Sequence, residues 1–362
     1  MCIDVAKVAA IIFMVADHCM MYGGASVEQG LGFFTDSLLG GPLAAPVFMA
    51  CMGIGVAYSR RNDAASLFRR GWRILAASYI LNAVRAAVYL PLGWFGGDAM
   101  YYHKFVHLFF VVDILQFAGM ALMLLSLLRK LNAGVRTVAT VALAMSFAGS
   151  LVSEQAGWIV NAVHTDILAI DVPLSLIVGL HGYNIAYPET PFVYSAFPLL
   201  NWFVFVAFGL VAGTLLRCCR NTDKLFAVAT PPALLLFVGN TIWGMDDSTL
   251  IHFYDTEESF YYVSIVDALL VCIPAVVAML GAGHFAGKAL KGKAAALVQR
   301  TASDLNRIYL IHWIFVMWVV DALLQRICAI EMSAFTLLLV SFAVVAASAS
   351  LSRFRPFSRI KL

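Results

Sequence analysis

Long apolar segments follow one another along this chain, each roughly 17–23 residues in length and separated by more polar stretches. Segments of this kind are typical of helices that cross the hydrocarbon core of a bilayer, which takes about 20 residues. We therefore predict an all-α fold, a polytopic membrane bundle of about ten transmembrane helices. The predicted segments are 4–22, 42–58, 73–95, 106–128, 137–153, 197–216, 225–244, 261–283, 306–324 and 334–352.

The positive charges lie mostly on one side of this predicted bundle. All but three of the 24 lysine and arginine residues fall in one set of alternate loops or near the start of the first segment. Because cytoplasmic loops carry the excess of lysine and arginine, both termini are predicted to be cytoplasmic. The opposite loops carry carboxylates and aromatic rings, for example in 94–102 and 253–262. Such rings are typical of an interfacial belt and also suit a carbohydrate surface. The longest of these loops, 154–196, has the length of one that covers a site, and we expect its apolar part, 167–180, to be re-entrant or interfacial.

The composition agrees with a membrane protein and excludes several other classes. Hydrophobic residues make up 62% of the 362 and charged residues 12%, whereas soluble chains have about 25% charged residues. The net charge of +3 is too small to indicate nucleic-acid binding. The seven cysteines form no CxxC pair and have no zinc-type spacing with histidine, so we expect no disulfide framework and no metal site. The sequence shows no internal repeat or low-complexity linker, and we predict a single transmembrane domain over residues 1–362.

The first segment carries charged and polar residues inside its apolar run. Lys7 and His18 are eleven residues apart, about three turns of an α-helix, so they share one face with Asp4. Asp17 lies about a quarter-turn from that face. Charged groups inside a span are costly and are usually functional. The alternative is that Lys7 snorkels to the interface while His18 makes a structural hydrogen bond.

Polar residues also interrupt later segments. Arg85 and Asp113 lie in adjacent antiparallel segments, and because a buried arginine needs a counter-charge we predict that they pair. The pair is either structural or in contact with a substrate. Asp267 and Asp321 have no obvious partner in the sequence, and each is either structural or lines a cavity. His312 is either catalytic or a packed histidine.

Two arginines precede the third segment at a helical spacing. Arg70 and Arg73 are three residues apart, which puts them on one face of a helix. A guanidinium fork matches phosphate oxygens, so paired arginines at a cytoplasmic helix entry can bind a phosphorylated ligand. The alternative is that they only fix the topology or contact lipid headgroups.

Several of these positions coincide with motifs of one family. Lys7 and His18, with ten residues between them, resemble the Arg-x10-His motif of the transmembrane acyltransferases, the acyltransferase-3 superfamily. RGWR at 70–73 matches its Arg-x-x-Arg motif, and RIYLIHW at 307–313 resembles its SYxxYLIHW signature. Two further segments are similar to the branch of the family that is related to heparan-alpha-glucosaminide N-acetyltransferase. They are IDVAKVAAIIFMVADH at 3–18 and FPLLNWFVFVAFGLVAGTLL at 197–216. The chain departs from the pattern at Lys7, where the family has arginine, and at the next residue, which is valine instead of glycine.

The resemblance implies an integral membrane acyltransferase, with a bacterial plasma membrane as the expected location. It implies transfer of an acetyl or other acyl group from cytosolic acyl-CoA to an extracytoplasmic acceptor, such as a glycan hydroxyl or amine. His18 would then be the general base or the acyl carrier, with Lys7 and Asp17 beside it, and Arg70 and Arg73 would hold the coenzyme A phosphates. The lipid bilayer is the other expected partner, and an oligomer is compatible with the sequence. A transporter or flippase that uses the buried charges as a substrate pathway is the alternative.

Overall fold

A computed structural model describes residues 1–26, 30–97, 100–154, 168–179, 195–246, 250–255 and 260–354. Over these residues the chain is helical and forms no β-strand. An isolated β-bridge pairs Val112 with Ser195. The predicted all-α class is therefore confirmed. Most of the long loop 154–196 lies outside the described residues, and its predicted interfacial part contains a helix at Leu168–Val178.

The helices are numbered in chain order. They are α1 (Cys2–Tyr22), α2 (Gly30–Phe33, followed by a π-helical segment Phe34–Gly40), α3 (Ala45–Tyr58), α4 (Ala64–Ala86), α5 (Tyr89–Gly96), α6 (Met100–Phe110), α7 (Ile114–Lys130), α8 (Val135–Glu154), α9 (Leu168–Val178), α10 (Leu199–Cys218), α11 (Thr222–Gly244), α12 (Ile265–Ala289, π-helical over Ala268–Cys272), α13 (Gly292–Ser303), α14 (Leu305–Ile327, π-helical over Phe315–Ile327) and α15 (Ala334–Leu351).

Eight helical stretches within the described residues are long and apolar enough to cross a membrane. They coincide with eight of the ten predicted segments. The other two predicted segments are the first and the fourth. The first is α1, which has 21 residues but carries charged groups. The fourth contains α7, which has only 17 residues. The chain is thus a polytopic helical membrane protein, and the number ten and the cytoplasmic termini stay predictions.

The third predicted segment begins earlier than expected. Helix α4 starts at Ala64 instead of at 73, because Asp63 caps it by accepting a hydrogen bond from the Ser66 N–H at 2.9 Å. The hydrogen bonds from Ser66 also lower the pKa of the Asp63 carboxyl below its ordinary value. Arg70 and Arg73 therefore lie inside α4, in its second and third turns, and not at a helix entry.

The fourth predicted segment, 106–128, is wrong as a single helix. The chain leaves the helix after Phe110 and resumes at Ile114, so α6 and α7 are separate. The Asn82 amide donates to the carbonyl oxygens of Phe109 at 3.0 Å and Val111 at 2.9 Å. These bonds satisfy carbonyls at the C-terminal end of α6, which is why the helix can stop inside an apolar run.

The chain divides into two compact units by its internal contacts. The first comprises Met1–Cys51, Cys218–Ile242 and Leu270–Leu362. Within it α1 is the central helix: it packs against α13, α14, α15, the π-helical segment after α2 and the Ile273–Ala289 part of α12. Its small and apolar side chains Ala6, Ala10, Ile11, Val15 and Cys19 are buried there. This central position explains why a helix with charged residues is held inside protein.

The second unit comprises Met52–Arg217 and Trp243–Leu269. Helix α4 packs along α7 and α6. A Cβ on Gly71 would lie 2.6 Å from the Gly119 carbonyl oxygen, and a Cβ on Gly119 would lie 2.9 Å from the Gly71 carbonyl oxygen. The two backbones therefore touch where both residues are glycine, which is the usual way that membrane helices approach closely. The prediction of a single domain over the whole chain stays a prediction.

Candidate active site

Two histidines from distant parts of the sequence meet in the first unit. His18 Nδ1 lies 3.1 Å from His312 Nε2, a hydrogen-bond distance, and the tautomers of the two rings decide which nitrogen donates. His312 is 0% exposed, whereas His18 is half-buried. Both nitrogens cannot carry a proton at this separation, because two N–H donors would then face each other. One histidine must therefore accept a hydrogen bond from the other. With this hydrogen bond in place, the pair carries at most three protons on its four ring nitrogens.

Aromatic rings enclose this pair. The Trp313 ring stacks on His18, with ring centroids 4.1 Å apart, and Tyr22 meets Trp313 edge-on. The Tyr309 ring meets His312 edge-on, with centroids 5.0 Å apart. Offset stacking and edge contacts of this kind fix the orientation of the rings that they involve. The half-buried His18 ring is thus held in one plane, with the buried His312 behind it.

The backbone explains how two neighbours on α14 both reach His18. Successive residues of a helix point about 100° apart, so His312 and Trp313 approach the His18 ring from different directions. The helix changes to π-helical geometry at Phe315, two residues after Trp313. Such changes of helical geometry are frequent at functional sites.

Lys7 and Asp17 take different places around α1. Because α1 is an unbroken helix, Lys7 lies about 16 Å from His18 along its axis. Lys7 is half-buried and lies near the thiol of Cys51. Asp17 lies against Gly40, where a Cβ would be 2.4 Å from its carboxyl carbon, and its carboxyl is in hydrogen-bond contact with that of Asp36. The geometry thus brings His18 together with His312. The catalytic roles of His18, Lys7 and Asp17 stay predictions.

The two candidate donor-binding arginines lie in the second unit. Arg70 is half-buried and Arg73 is exposed. Their spacing along α4 puts them on one face, and the glycine between them is the close contact with α7. Trp72, also between them, is 59% exposed. The arrangement leaves the guanidinium of Arg73 accessible to a ligand or to lipid headgroups.

Arg85 and Asp113 pair, as the sequence predicts. Arg85 Nη1 donates to Asp113 Oδ2 at 2.7 Å, and the two side chains are 2% and 14% exposed. Asp113 also caps α7: its Oδ1 accepts from the Ile114 N–H at 2.7 Å, and Gln116 completes a capping box. The cap places a carboxylate at the helix N-terminus, where it is favourable, and opposite the buried arginine. Whether the pair also contacts a substrate stays a prediction.

Sequence reasoning missed three relationships. It did not join His18 to His312, since 294 residues separate them and no periodic signal links them. Asp321 has a partner after all, because Arg326 donates to both of its carboxylate oxygens at 3.0 Å. Asp267 accepts from the Ser264 hydroxyl at 2.7 Å and from the His252 N–H at 3.1 Å. Within the described residues, the titratable side chains form no group of three or more that could hold a metal ion.

These observations define the class of the protein first: a polytopic helical membrane protein in which a buried histidine, His312, contacts a half-buried one, His18. The family follows from comparison, since residues 2–353 match the model of the acyltransferase-3 family, described as an acyltransferase domain. The chain therefore belongs to that family and is a membrane acyltransferase. No curated protein and no solved structure matches it.

Proposed function

We propose that this protein transfers an acyl group, most simply acetyl, from cytosolic acyl-CoA to a hydroxyl or amine of an extracytoplasmic acceptor such as a glycan. The observation that carries this proposal is the contact of 3.1 Å between His18 Nδ1 and His312 Nε2. This contact joins the histidine of the first-helix motif to the histidine of the RIYLIHW segment. Both of these segments resemble motifs of the family. The likeness to the heparan-alpha-glucosaminide N-acetyltransferase branch belongs to this proposal.

The pair suits general base catalysis. His18 takes the proton of the acceptor hydroxyl or amine as the oxygen or nitrogen attacks the thioester carbonyl carbon. The carbon–sulfur bond breaks, and the coenzyme A sulfur leaves with the proton that His18 returns. A neutral His312 accepts a hydrogen bond from the cationic His18 and so stabilises the charge that develops on it. A variant in which the acyl group passes through a His18 nitrogen uses the same residues.

The charge distribution supports the direction of transfer. Arg70 and Arg73 lie near the end of α4 that is predicted to be cytoplasmic, where an acyl-CoA is found. Their guanidinium groups would hold its phosphates. The opposite loops carry the carboxylates and aromatic rings that suit a hydroxylated acceptor. Family membership favours acyl transfer over transport. Buried charges such as Arg85 would serve either activity.

Sealed vesicles of known orientation test this proposal. Radiolabelled acetyl-CoA is supplied on the cytoplasmic face, and acid-stable label is measured in material on the other face. We expect label in an extracytoplasmic glycan or lipid fraction only when the protein is present, with release of free coenzyme A in equal amount. Label that stays on the cytoplasmic side, or unhydrolysed acetyl-CoA that crosses intact, would contradict the proposal.

A further inference from the structure

The C-terminal end of α1 carries carbonyl groups that the helix itself does not satisfy. Helix α1 ends at Tyr22, and Gly23 follows it as the C-cap. The last carbonyls of a helix need donors from outside the helix. Lysine, arginine or histidine in the last turn often supplies such a donor, but the last turn of α1 holds none of them. A donor for the Tyr22 carbonyl oxygen therefore comes from another element.

Gln325 of α14 supplies this donor. With its amide nitrogen toward α1, Gln325 donates to the Tyr22 carbonyl oxygen at 2.9 Å and to Asp321 Oδ1 at 3.2 Å. The opposite orientation of the amide would place its oxygen against these two acceptors, so the hydrogen bonds decide the orientation. One side-chain amide thus joins the end of α1 to a carboxylate of α14.

Asp321 is a fixed support for that amide. It is 1% exposed, and Arg326 donates to both of its oxygens at 3.0 Å, so its buried charge is compensated. Gln325 and Arg326 come four and five residues after Asp321, inside the π-helical segment Phe315–Ile327. One turn of a π-helix takes more than four residues, so both side chains flank Asp321, whereas in an α-helix the fifth residue points away. The π-helical geometry therefore lets one carboxylate hold both groups.

The backbone next to α1 leaves room for the Gln325 amide. Gly24 has a φ of 76°, in the left-handed region that favours glycine. A Cβ on Gly24 would overlap the side-chain amide of Gln325. Another residue at this position would therefore strain the backbone and displace the amide. Gly30 also has a left-handed φ, of 63°, but its Cβ would meet no atom within 4 Å in the described structure.

The end of α1 that Gln325 holds is also the part that carries the candidate active site. The Tyr22 ring meets Trp313 edge-on with centroids 5.7 Å apart, and Trp313 stacks on His18. His18 and Tyr22 lie four residues apart on α1, so one helical turn joins them. All of these residues belong to the first unit. A hydrogen bond that prevents this turn from fraying therefore also fixes the rings around His18.

We propose that Gln325 is a positioning residue for His18, supported by Asp321 and Arg326; these three residues form the α14 network. The network acts through the last turn of α1 and the Trp313 ring. Its effect on acyl transfer rests on the proposed function, whereas its effect on the His18 ring does not.

Fluorine NMR and a chemical probe of His18 test the network without any assay of transfer. Protein labelled with fluorotryptophan is prepared in detergent micelles, and the Trp313 resonance is assigned with Trp313→Phe. Diethyl pyrocarbonate modifies imidazole nitrogens, and its rate at His18 is read by mass spectrometry of the peptide that contains it. The variant Gln325→Met keeps the length of the side chain but cannot donate. Its matched control is Gln299→Met, the same change at an exposed glutamine of α13.

We expect Gln325→Met to shift the Trp313 resonance and to raise the rate at His18 about two- to tenfold, the equivalent of one neutral hydrogen bond. Gln299→Met should change neither. Gly24→Ala should act like Gln325→Met because it displaces the amide, whereas Gly30→Ala adds similar backbone strain and should have no effect on either readout. If Gln325→Met does not fold, the two glycine variants decide. A wild-type resonance and rate in the folded variants would overturn the proposal, even if their thermal stability falls.

Steady-state kinetics separates this inference from the proposed function. Gln325→Met should lower kcat by up to about tenfold and leave the KM for acetyl-CoA near that of wild type, because it acts on His18 and not on donor binding. A wild-type kcat in this variant would overturn the positioning role. If the wild-type protein transfers no acyl group while the resonance and the rate change as expected, the proposed function fails and the effect of the α14 network on His18 stands.

Discussion

Breaking the Arg85–Asp113 pair from one side should destabilise the second unit strongly. Arg85 is among the largest fully buried side chains and is 2% exposed, and its partner is 14% exposed. Replacing Asp113 by Asn removes the charge but keeps a good N-cap for α7, so the loss isolates the ion pair. Removing one member of a buried pair costs about 3–5 kcal/mol, since the other charge is left without compensation.

The opposite replacement and the double variant complete the cycle. Arg85→Met keeps most of the volume and should cost a similar amount, because Asp113 then remains charged beside apolar groups. Arg85→Met with Asp113→Asn should cost clearly less than the two single losses together. The expected coupling is about 0.5–3 kcal/mol, the range for residues in direct contact.

Reversible unfolding in detergent or bicelles, followed by steric trapping, measures these free energies. Thermal unfolding of the same four proteins gives an independent ranking. Single losses that add within about 0.5 kcal/mol would show that the contact of 2.7 Å has no energetic meaning and would refute the reasoning. Losses below 1 kcal/mol for both single variants would show that water reaches the pair.

Three further predictions follow from contacts and exposures. Gly53→Ala should destabilise by about 1–3 kcal/mol, because its Cβ would lie 2.0 Å from the Val206 carbonyl oxygen. The control Gly55→Ala, whose Cβ would meet no atom within 4 Å beyond its own stretch of helix in the described structure, should not destabilise the protein in thermal unfolding. His312→Ala should lower kcat about ten- to a hundredfold, because it removes a hydrogen bond to the charged His18, and it should change the pH profile of kcat. An unchanged pH profile in steady-state kinetics would make His312 a packing residue. Arg70→Ala should weaken acetyl-CoA binding about ten- to a hundredfold in isothermal titration, whereas the neighbouring exposed Arg69→Ala should leave it unchanged; equal affinities would remove Arg70 from the donor site.

The helical class follows from the sequence because it rests on the length and composition of each segment alone. Eight of the predicted segments overlap helical stretches that are long and apolar enough to cross a membrane, since the bilayer imposes a minimum length on each of them. The Arg85–Asp113 pair is also predictable, because one base and one acid occur in consecutive predicted segments, although α5 and α6 lie between the helices that carry them. Both inferences use information that lies within or between adjacent segments.

The remaining features depend on information that a periodic pattern does not contain. The break at 111–113 interrupts an apolar run without proline or glycine, and it is stabilised by Asn82, a side chain from another helix. Arg326 lies five residues after Asp321, a spacing that faces one side in a π-helix and not in an α-helix. The contact of His18 with His312 depends on how α1 and α14 pack.

The most direct test of the central claim compares two histidine variants in the vesicle assay. His18→Ala removes the histidine that stacks on Trp313 and contacts His312. The control, His252→Ala, removes a histidine whose side chain is 55% exposed and pairs with Asp255. Both proteins are first matched for amount in the membrane and for thermal unfolding. We predict that His18→Ala lowers the initial rate of acetyl transfer at least about a hundredfold, as for loss of a general base, and that His252→Ala transfers at the wild-type rate. Transfer by His18→Ala within about threefold of wild type would contradict the assignment of His18 as base or acyl carrier.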